Sequence, residues 1–235
     1  METMADRVRR VRERIAEAAL KAGRAPESVT LVGASKTMDA AAVREAVLAG
    51  VDHMGENRCQ ELTEKLAQGA YAGAKLHYIG HLQQNKLRYL VGKADLIPSV
   101  DSEALLRLID RRAGTLGIIQ DILLQVNIGR EPNKGGIAPE ETPEMCALAA
   151  ECPHIRLLGL MAIPPVPVSG EKYPYFEEMY KLFIDIRAEK NDNVTMKLLS
   201  MGMSGDYPEA IAAGANMVRV GTAIFGPRAT VLPPD

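Results

Sequence analysis

The chain has 235 residues, 47% hydrophobic and 25% charged, enough to close one large core or two small ones, and this composition excludes disorder, collagen and coiled coil. Its 28 Lys and Arg against 30 Asp and Glu leave a net charge of -2, so the totals imply no broad electropositive face for nucleic acid or an anionic membrane. An anionic ligand has to be held locally.

Met1 to Lys21 is Arg-rich and lacks the apolar core of a signal peptide, and no apolar run reaches the ~20 residues that span a bilayer. A cytoplasmic location is expected. Asp6 to Ala22 sets Val8, Val11, Ile15 and Ala18 on one helical stripe, with Arg7, Arg9, Arg10, Arg12 and Arg14 around it; Glu13 and Glu17 interrupt the cluster, which reads as a solvated face.

Val29 to Ala34 follows as a β-branched strand, and Asp39 to Ala49 as a helix with an acidic start, stopped at Gly50. The unit then recurs. Further strands are predicted at Val51 to Met54, Leu76 to Ile79, Asp95 to Val100, Ile119 to Val126, Ile155 to Leu160, Val194 to Leu199 and Met217 to Val220. Between them lie helical stripes on Cys59, Leu62 and Leu66, on Leu105, Leu108 and Ile109, on Met145, Leu148 and Ala149, and on Phe176, Met179, Tyr180 and Phe183. Alternating strands and helices imply a parallel sheet, and a chain near the ~250 residues typical of such barrels favours closure. The expected fold is α/β: a single (β/α)8 TIM barrel over residues 1–235, with an extra N-terminal helix. Ile163 to Pro174, carrying Pro164, Pro165, Pro167 and Gly170, is expected to be a lid or a rigid linker after the sixth strand.

Barrels place their chemistry at the C-terminal ends of the strands. There the chain offers Ser35-Lys36, Gly55-Glu56-Asn57, Gly80-His81, Asp101, Asn127, Met161-Ala162, the run Ser200 to Asp206, and Gly221-Thr222. Ser200-Met-Gly-Met-Ser204-Gly, followed by a short helix over Asp206 to Ala213 and flanked by Gly221-Thr222, reads either as a phosphate cradle or as a pair of Gly/Ser turns. Lys36 is either a solvated lysine or, in a barrel mouth that lowers its pKa, an amine able to form a Schiff base. Together, amine and cradle suit an aldehyde phosphate such as pyridoxal 5'-phosphate. Arg219, inside the last strand, either donates to the pyridine nitrogen of that cofactor or pairs with an acidic neighbour such as Glu56.

Metal chemistry finds little support: His77 and His81 straddle a strand end, while His53 and His154 stand apart as packing or surface residues. Cys59, Cys146 and Cys152 form no Cys-x-x-Cys pair and read as reduced thiols.

Ser35-Lys36-Thr37, Gly55-Glu-Asn-Arg-Cys-Gln-Glu61, His77-Tyr-Ile-Gly-His-Leu-Gln-Gln-Asn-Lys86, Gly159-Leu-Met-Ala-Ile163, Leu199-Ser-Met-Gly-Met-Ser-Gly-Asp206 and Val218-Arg-Val-Gly-Thr-Ala-Ile-Phe-Gly226 together resemble the pyridoxal phosphate homeostasis protein family, also described as proline synthase co-transcribed homologues. The resemblance implies the barrel of the alanine racemase N-terminal domain, with the cofactor as a Schiff base on Lys36. It also implies that Ser204, Gly221 and Thr222 hold the phosphate, that Arg219 faces the pyridine nitrogen, that Asn57 lies beside the ring, and that Ser200 supports the site.

Relatives of this kind are regarded as carriers or regulators of vitamin B6 and amino-acid balance, with no established turnover; for this chain a cytosolic monomer in transient contact with apo-enzymes is expected. Racemases of this fold add a β-rich domain; without one in this sequence, the second face of the cofactor is expected to be left open. Leu76 stands where relatives often have tryptophan, Met38 replaces a common basic residue, and Asn133-Lys134-Gly135-Gly136 departs from the usual Ser-Lys-Ser-Gly. Two other readings remain: a weak racemase or lyase using Lys36 as a base, and a barrel acting on a sugar phosphate without cofactor.

Overall fold

In the computed structural model, which describes residues 2–165, 174–187 and 193–227, eight parallel strands close in chain order into a barrel. The strands are β1 (Thr30–Ala34), β2 (His53–Glu56), β3 (Lys75–Tyr78), β4 (Leu96–Val100), β5 (Gln120–Val126), β6 (Ile155–Ala162), β7 (Val194–Ser200) and β8 (Met217–Val220). Around them lie α1 (Met4–Lys21), α2 (Ala40–Leu48), α3 (Cys59–Ala67), α4 (Glu103–Leu116), α5 (Thr142–Ala150), α6 (Pro174–Arg187), α7 (Tyr207–Ala212) and α8 (Thr222–Phe225). The eight-stranded barrel expected from the alternating pattern is the fold observed.

Strand period two sorts each strand into two faces. Val32, Leu96, Leu123, Met161 and Met217 fill the barrel interior, while Leu31, Met54, Leu76, Val218 and Val220 join the larger core between strands and helices. Leu76 is thus buried in the outer core, its N–H donating to Asp95 Oδ2 at 2.7 Å.

The β1–β8 ladder pairs Val32 with Arg219 and Gly33 with Val220, and the β1–β2 ladder pairs Ala34 with Gly55. These registers bring the ends of β8, β1 and β2 together. Gly159, at φ 151°, lies at a register shift between β6 and β7, where a Cβ would overlap the Leu198 carbonyl oxygen.

Two features differ from a regular repeat. The β3–β4 crossover carries a 3-10 segment, Gln84–Tyr89, in place of an α-helix. The helix after β8 is a single turn of 4 residues, and α1 packs against α7, α8 and α2, filling that side of the shell. Arg9, Arg10, Arg12 and Arg14 are a solvated face, as expected: Arg9 pairs with Asp6, Arg10 with Glu2 and Arg12 with Asp52, while Arg14 lies over the Tyr207 ring; Arg7 is instead half-buried, its Nε donating to the Ile224 carbonyl at 2.5 Å. No helix among the described residues is long and apolar enough to cross a membrane. Of the lid candidate, residues 166–173 lie outside the described residues.

Candidate functional site

Lys36 follows β1 in a turn closed by the Met38 N–H on Ser35 O at 3.1 Å. The alternation that turns Val32 inward and Leu31 outward, carried on through Ala34 and Ser35, returns Lys36 to the inner face. Lys36 is half-buried at the mouth.

Beside it, Ser204 Oγ accepts from the Gly221 N–H at 3.1 Å and the Ala223 N–H at 3.5 Å. A hydroxyl therefore meets the amides that open α8, and Thr222 between them heads that turn with its side chain exposed. The first N–H groups of a helix have no intrahelical acceptor, which suits them to an anion. The short helix after Ser204 contributes less than the sequence suggests. Asp206 Oδ1 accepts from the Met203 N–H at 2.6 Å, and the Asp206 and Tyr207 amides both return to Met203 O. Those donors are consumed inside the turn, and the Gly221 and Ala223 amides are in turn directed at Ser204 Oγ, so the polar face presented here is the Ser204 hydroxyl with Thr222 beside it.

Arg219 points into the barrel and is 5% exposed. Its Nη1 donates to Ser200 Oγ at 2.6 Å and its Nη2 to the Ala162 carbonyl at 2.9 Å. The pairing with Glu56 does not form. Glu56 ends β2 on the outer face, fully buried, with Lys65 Nζ 2.5 Å from its Oε1. Burial lowers the Arg219 pKa to about 10, opposed by the nearby Asp206 carboxylate, so the guanidinium stays charged at neutral pH. Burial in turn raises the Asp206 carboxyl, an effect countered by the Met203 N–H and by Arg219. Ser200 thus belongs with Arg219 and not with the Ser204 turn.

Asn57 follows β2 on the other side of Lys36, and its Oδ1 is buried without a hydrogen-bond partner. Gly80 lets this segment approach: a Cβ there would overlap the Asn57 backbone. Lys36, Asn57, Arg219, Gly221, Thr222, Ser200 and Ser204 therefore all sit at the C-terminal ends of four neighbouring strands, β7, β8, β1 and β2.

The opposite half of the mouth opens into a cavity of about 520 Å³ beside Ile79, His81, Asn127, Lys134 and Ile163. There the Asn127 side chain orders the following loop, donating to Glu131 O at 2.9 Å and Lys134 O at 3.2 Å, while Lys134 Nζ lies 2.6 Å from Glu131.

His53 is not isolated. Its Nδ1 lies 3.0 Å from His77 Nε2, an interior pair invisible in the sequence, since it depends on the β2–β3 register. His81 instead approaches Asp101 at 3.4 Å. Among the described residues no group of three or more His, Cys, Asp or Glu is placed to hold a metal ion.

The sequence profile described as alanine racemase, N-terminal domain, matches residues 6–229. A pyridoxal phosphate homeostasis protein of Aquifex aeolicus is 42% identical over 224 residues, 95% of this chain and 97% of the relative. This chain belongs to the pyridoxal phosphate homeostasis protein family. The family member of Escherichia coli K12 is 40% identical, covering 97% of this chain and 98% of its own. Among solved structures, PipY of Synechococcus elongatus PCC7942 with PLP bound matches at 37% identity and a TM-score of 0.78, over 90% of this chain and 100% of that one. An alanine racemase of Clostridium difficile 630 shares the barrel alone, at 18% identity and a TM-score of 0.71, with 58% of its chain covered.

Proposed function

We propose that this chain binds pyridoxal 5'-phosphate at the mouth over β7, β8, β1 and β2 and serves the intracellular homeostasis of that cofactor as a carrier or buffer. It acts as one unit over residues 1–235, as a cytoplasmic monomer that meets apo-enzymes transiently. The observation that carries the reading is Arg219: a buried cation whose hydrogen-bond partners are a hydroxyl and a carbonyl, one ladder step from the strand that delivers Lys36 and next to the amides of Gly221 to Ala223. The orphaned Asn57 Oδ1 and the Ser204–Gly221 turn fit the same ligand. Family membership and the PLP-bound PipY support it.

When bound, the cofactor supplies an aldehyde that reacts reversibly with primary amines. Lys36 is the amine this chain presents to it. The Ser204 hydroxyl and the Gly221 and Thr222 amides would hold the phosphate dianion. Arg219 would face the pyridine nitrogen and, being charged, would disfavour a proton there, so that the ring would be a weak electron sink, which suits storage over turnover. Asn57 lies beside the ring, and Ser200 fixes the Arg219 fork.

Adding the cofactor to purified protein should give a visible absorption band, abolished by borohydride, with the reduced adduct on Lys36 by peptide mass spectrometry. Once unbound cofactor is removed, Lys36→Ala should be colourless. A wild-type protein that is colourless after incubation with excess cofactor and removal of the unbound part would defeat the reading.

A further inference from the structure

The turn that presents Lys36 is strained immediately beyond it. Thr37 has φ 68°, in the left-handed region, although it is β-branched and the third residue of its turn, a place that favours glycine or asparagine. Such a conformation persists only where its surroundings enforce it.

Here the surroundings are charged and, apart from the partly exposed Glu61, buried. Glu61 Oε2 accepts the Thr37 N–H at 2.9 Å. Lys65 Nζ donates to Ser35 O at 3.0 Å and to Glu56 Oε1 at 2.5 Å, and lies 3.4 Å from Glu61 Oε2. Ser35 Oγ donates to the same Glu56 oxygen at 2.6 Å, and the Tyr71 hydroxyl reaches it at 3.3 Å. Glu61 and Lys65 are four residues apart on α3, so one helix face grips the segment on both sides of Lys36. A buried ion cluster is a poor way to gain stability, since apolar packing of equal volume does as well. What it supplies that apolar groups cannot is directed bonds to the Ser35 carbonyl and the Thr37 amide.

We propose that Glu61 and Lys65, anchored on Glu56, are positioning residues for the Lys36 amine: they hold the strained Ser35–Thr37 turn so that the amine faces the cradle. The inference rests on Lys36 being the aldehyde-binding amine.

The test compares the full-length wild-type chain with Glu61→Ala, Glu61→Gln and Glu61→Ala combined with Thr37→Gly. Glu61 lies at the partly exposed edge of the cluster, which keeps these variants folded. In the cofactor-free protein, hydrogen exchange at the Thr37 amide should quicken at least tenfold in Glu61→Ala, with the β1 amides unchanged. Adduct formation between Lys36 and pyridoxal 5'-phosphate should slow at least tenfold, while affinity for pyridoxine 5'-phosphate, which has no aldehyde, stays within twofold. Glu61→Gln keeps a carbonyl acceptor and should recover the wild-type rate. Thr37→Gly removes the strain and should rescue Glu61→Ala in part. An adduct rate in Glu61→Ala equal to wild type overturns the proposal, as does an equal loss of pyridoxine 5'-phosphate binding, which would mark general damage. A wild-type protein that forms no adduct overturns the functional reading instead, and the exchange experiment still reports whether Glu61 holds the turn.

Discussion

Arg219 and His77 both point into the barrel, and burial moves each toward its neutral form with different consequences. Arg219 keeps its charge at neutral pH. His77 does not: burial, with the neighbouring His53 and Lys75 acting in the same direction, lowers its pKa from 6.5 to about 3. The unfolded chain therefore takes up a proton below about pH 6.5 that the native state refuses until about pH 3. Stability from this residue is complete above pH 6.5 and is lost as the pH falls through that window, by an amount on the order of a few kcal/mol. Urea unfolding of the wild type should show a midpoint that drops between pH 7 and pH 5, and His77→Gln should flatten that drop. A slope unaffected by the substitution would place the acid sensitivity elsewhere. Neither inward direction follows from composition: Arg219 was legible as an anomaly within an apolar strand, but only the β1–β8 ladder shows what it faces.

At the scale of elements, α3 is tied to the end of β2 by a buried ion pair near the mouth, Lys65 with Glu56. Lys65 is 5% exposed and Glu56 fully buried. Removing the cation alone leaves a carboxylate without compensation, so Lys65→Met should cost about 3–5 kcal/mol, measured by denaturant titration. Replacing both partners with apolar residues should restore much of that stability without restoring the Lys36 turn. The sequence placed α3 correctly from Cys59, Leu62 and Leu66, yet Lys65, on the same helix, carries no mark of burial: lysine is rarely inside a protein unless paired. Its partner is supplied by a strand that ends three residues before the helix begins. The 3-10 segment after β3 escaped for a related reason, since Gln84–Tyr89 buries Leu87 alone and so shows no repeating stripe.

For the whole molecule, closure depends on a helix that precedes the first strand. With α8 only one turn long, α1 covers that side through Val8, Val11, Ile15 and Ala18, packed against α7, α8 and α2. Ile15→Ala, at a position 4% exposed, should cost about 2–4 kcal/mol and lower the midpoint of thermal unfolding by several degrees, read by calorimetry. A loss below about 0.5 kcal/mol would mean that α1 is an appendage and not part of the barrel's shell.

The order of strands and helices, the choice of a closed parallel barrel and the positions of Lys36, Ser204 and Gly221 at strand ends follow from local pattern, because hydrophobic period and turn chemistry act over a few residues. What faces what does not. Arg219 resting on Ser200, His53 meeting His77, Glu56 turned outward to Lys65 and Thr37 held left-handed by Glu61 each join groups fixed by ladder register or helix docking. A shift of one residue in any of those registers would send the same side chains to the opposite face, so only the closed barrel decides them.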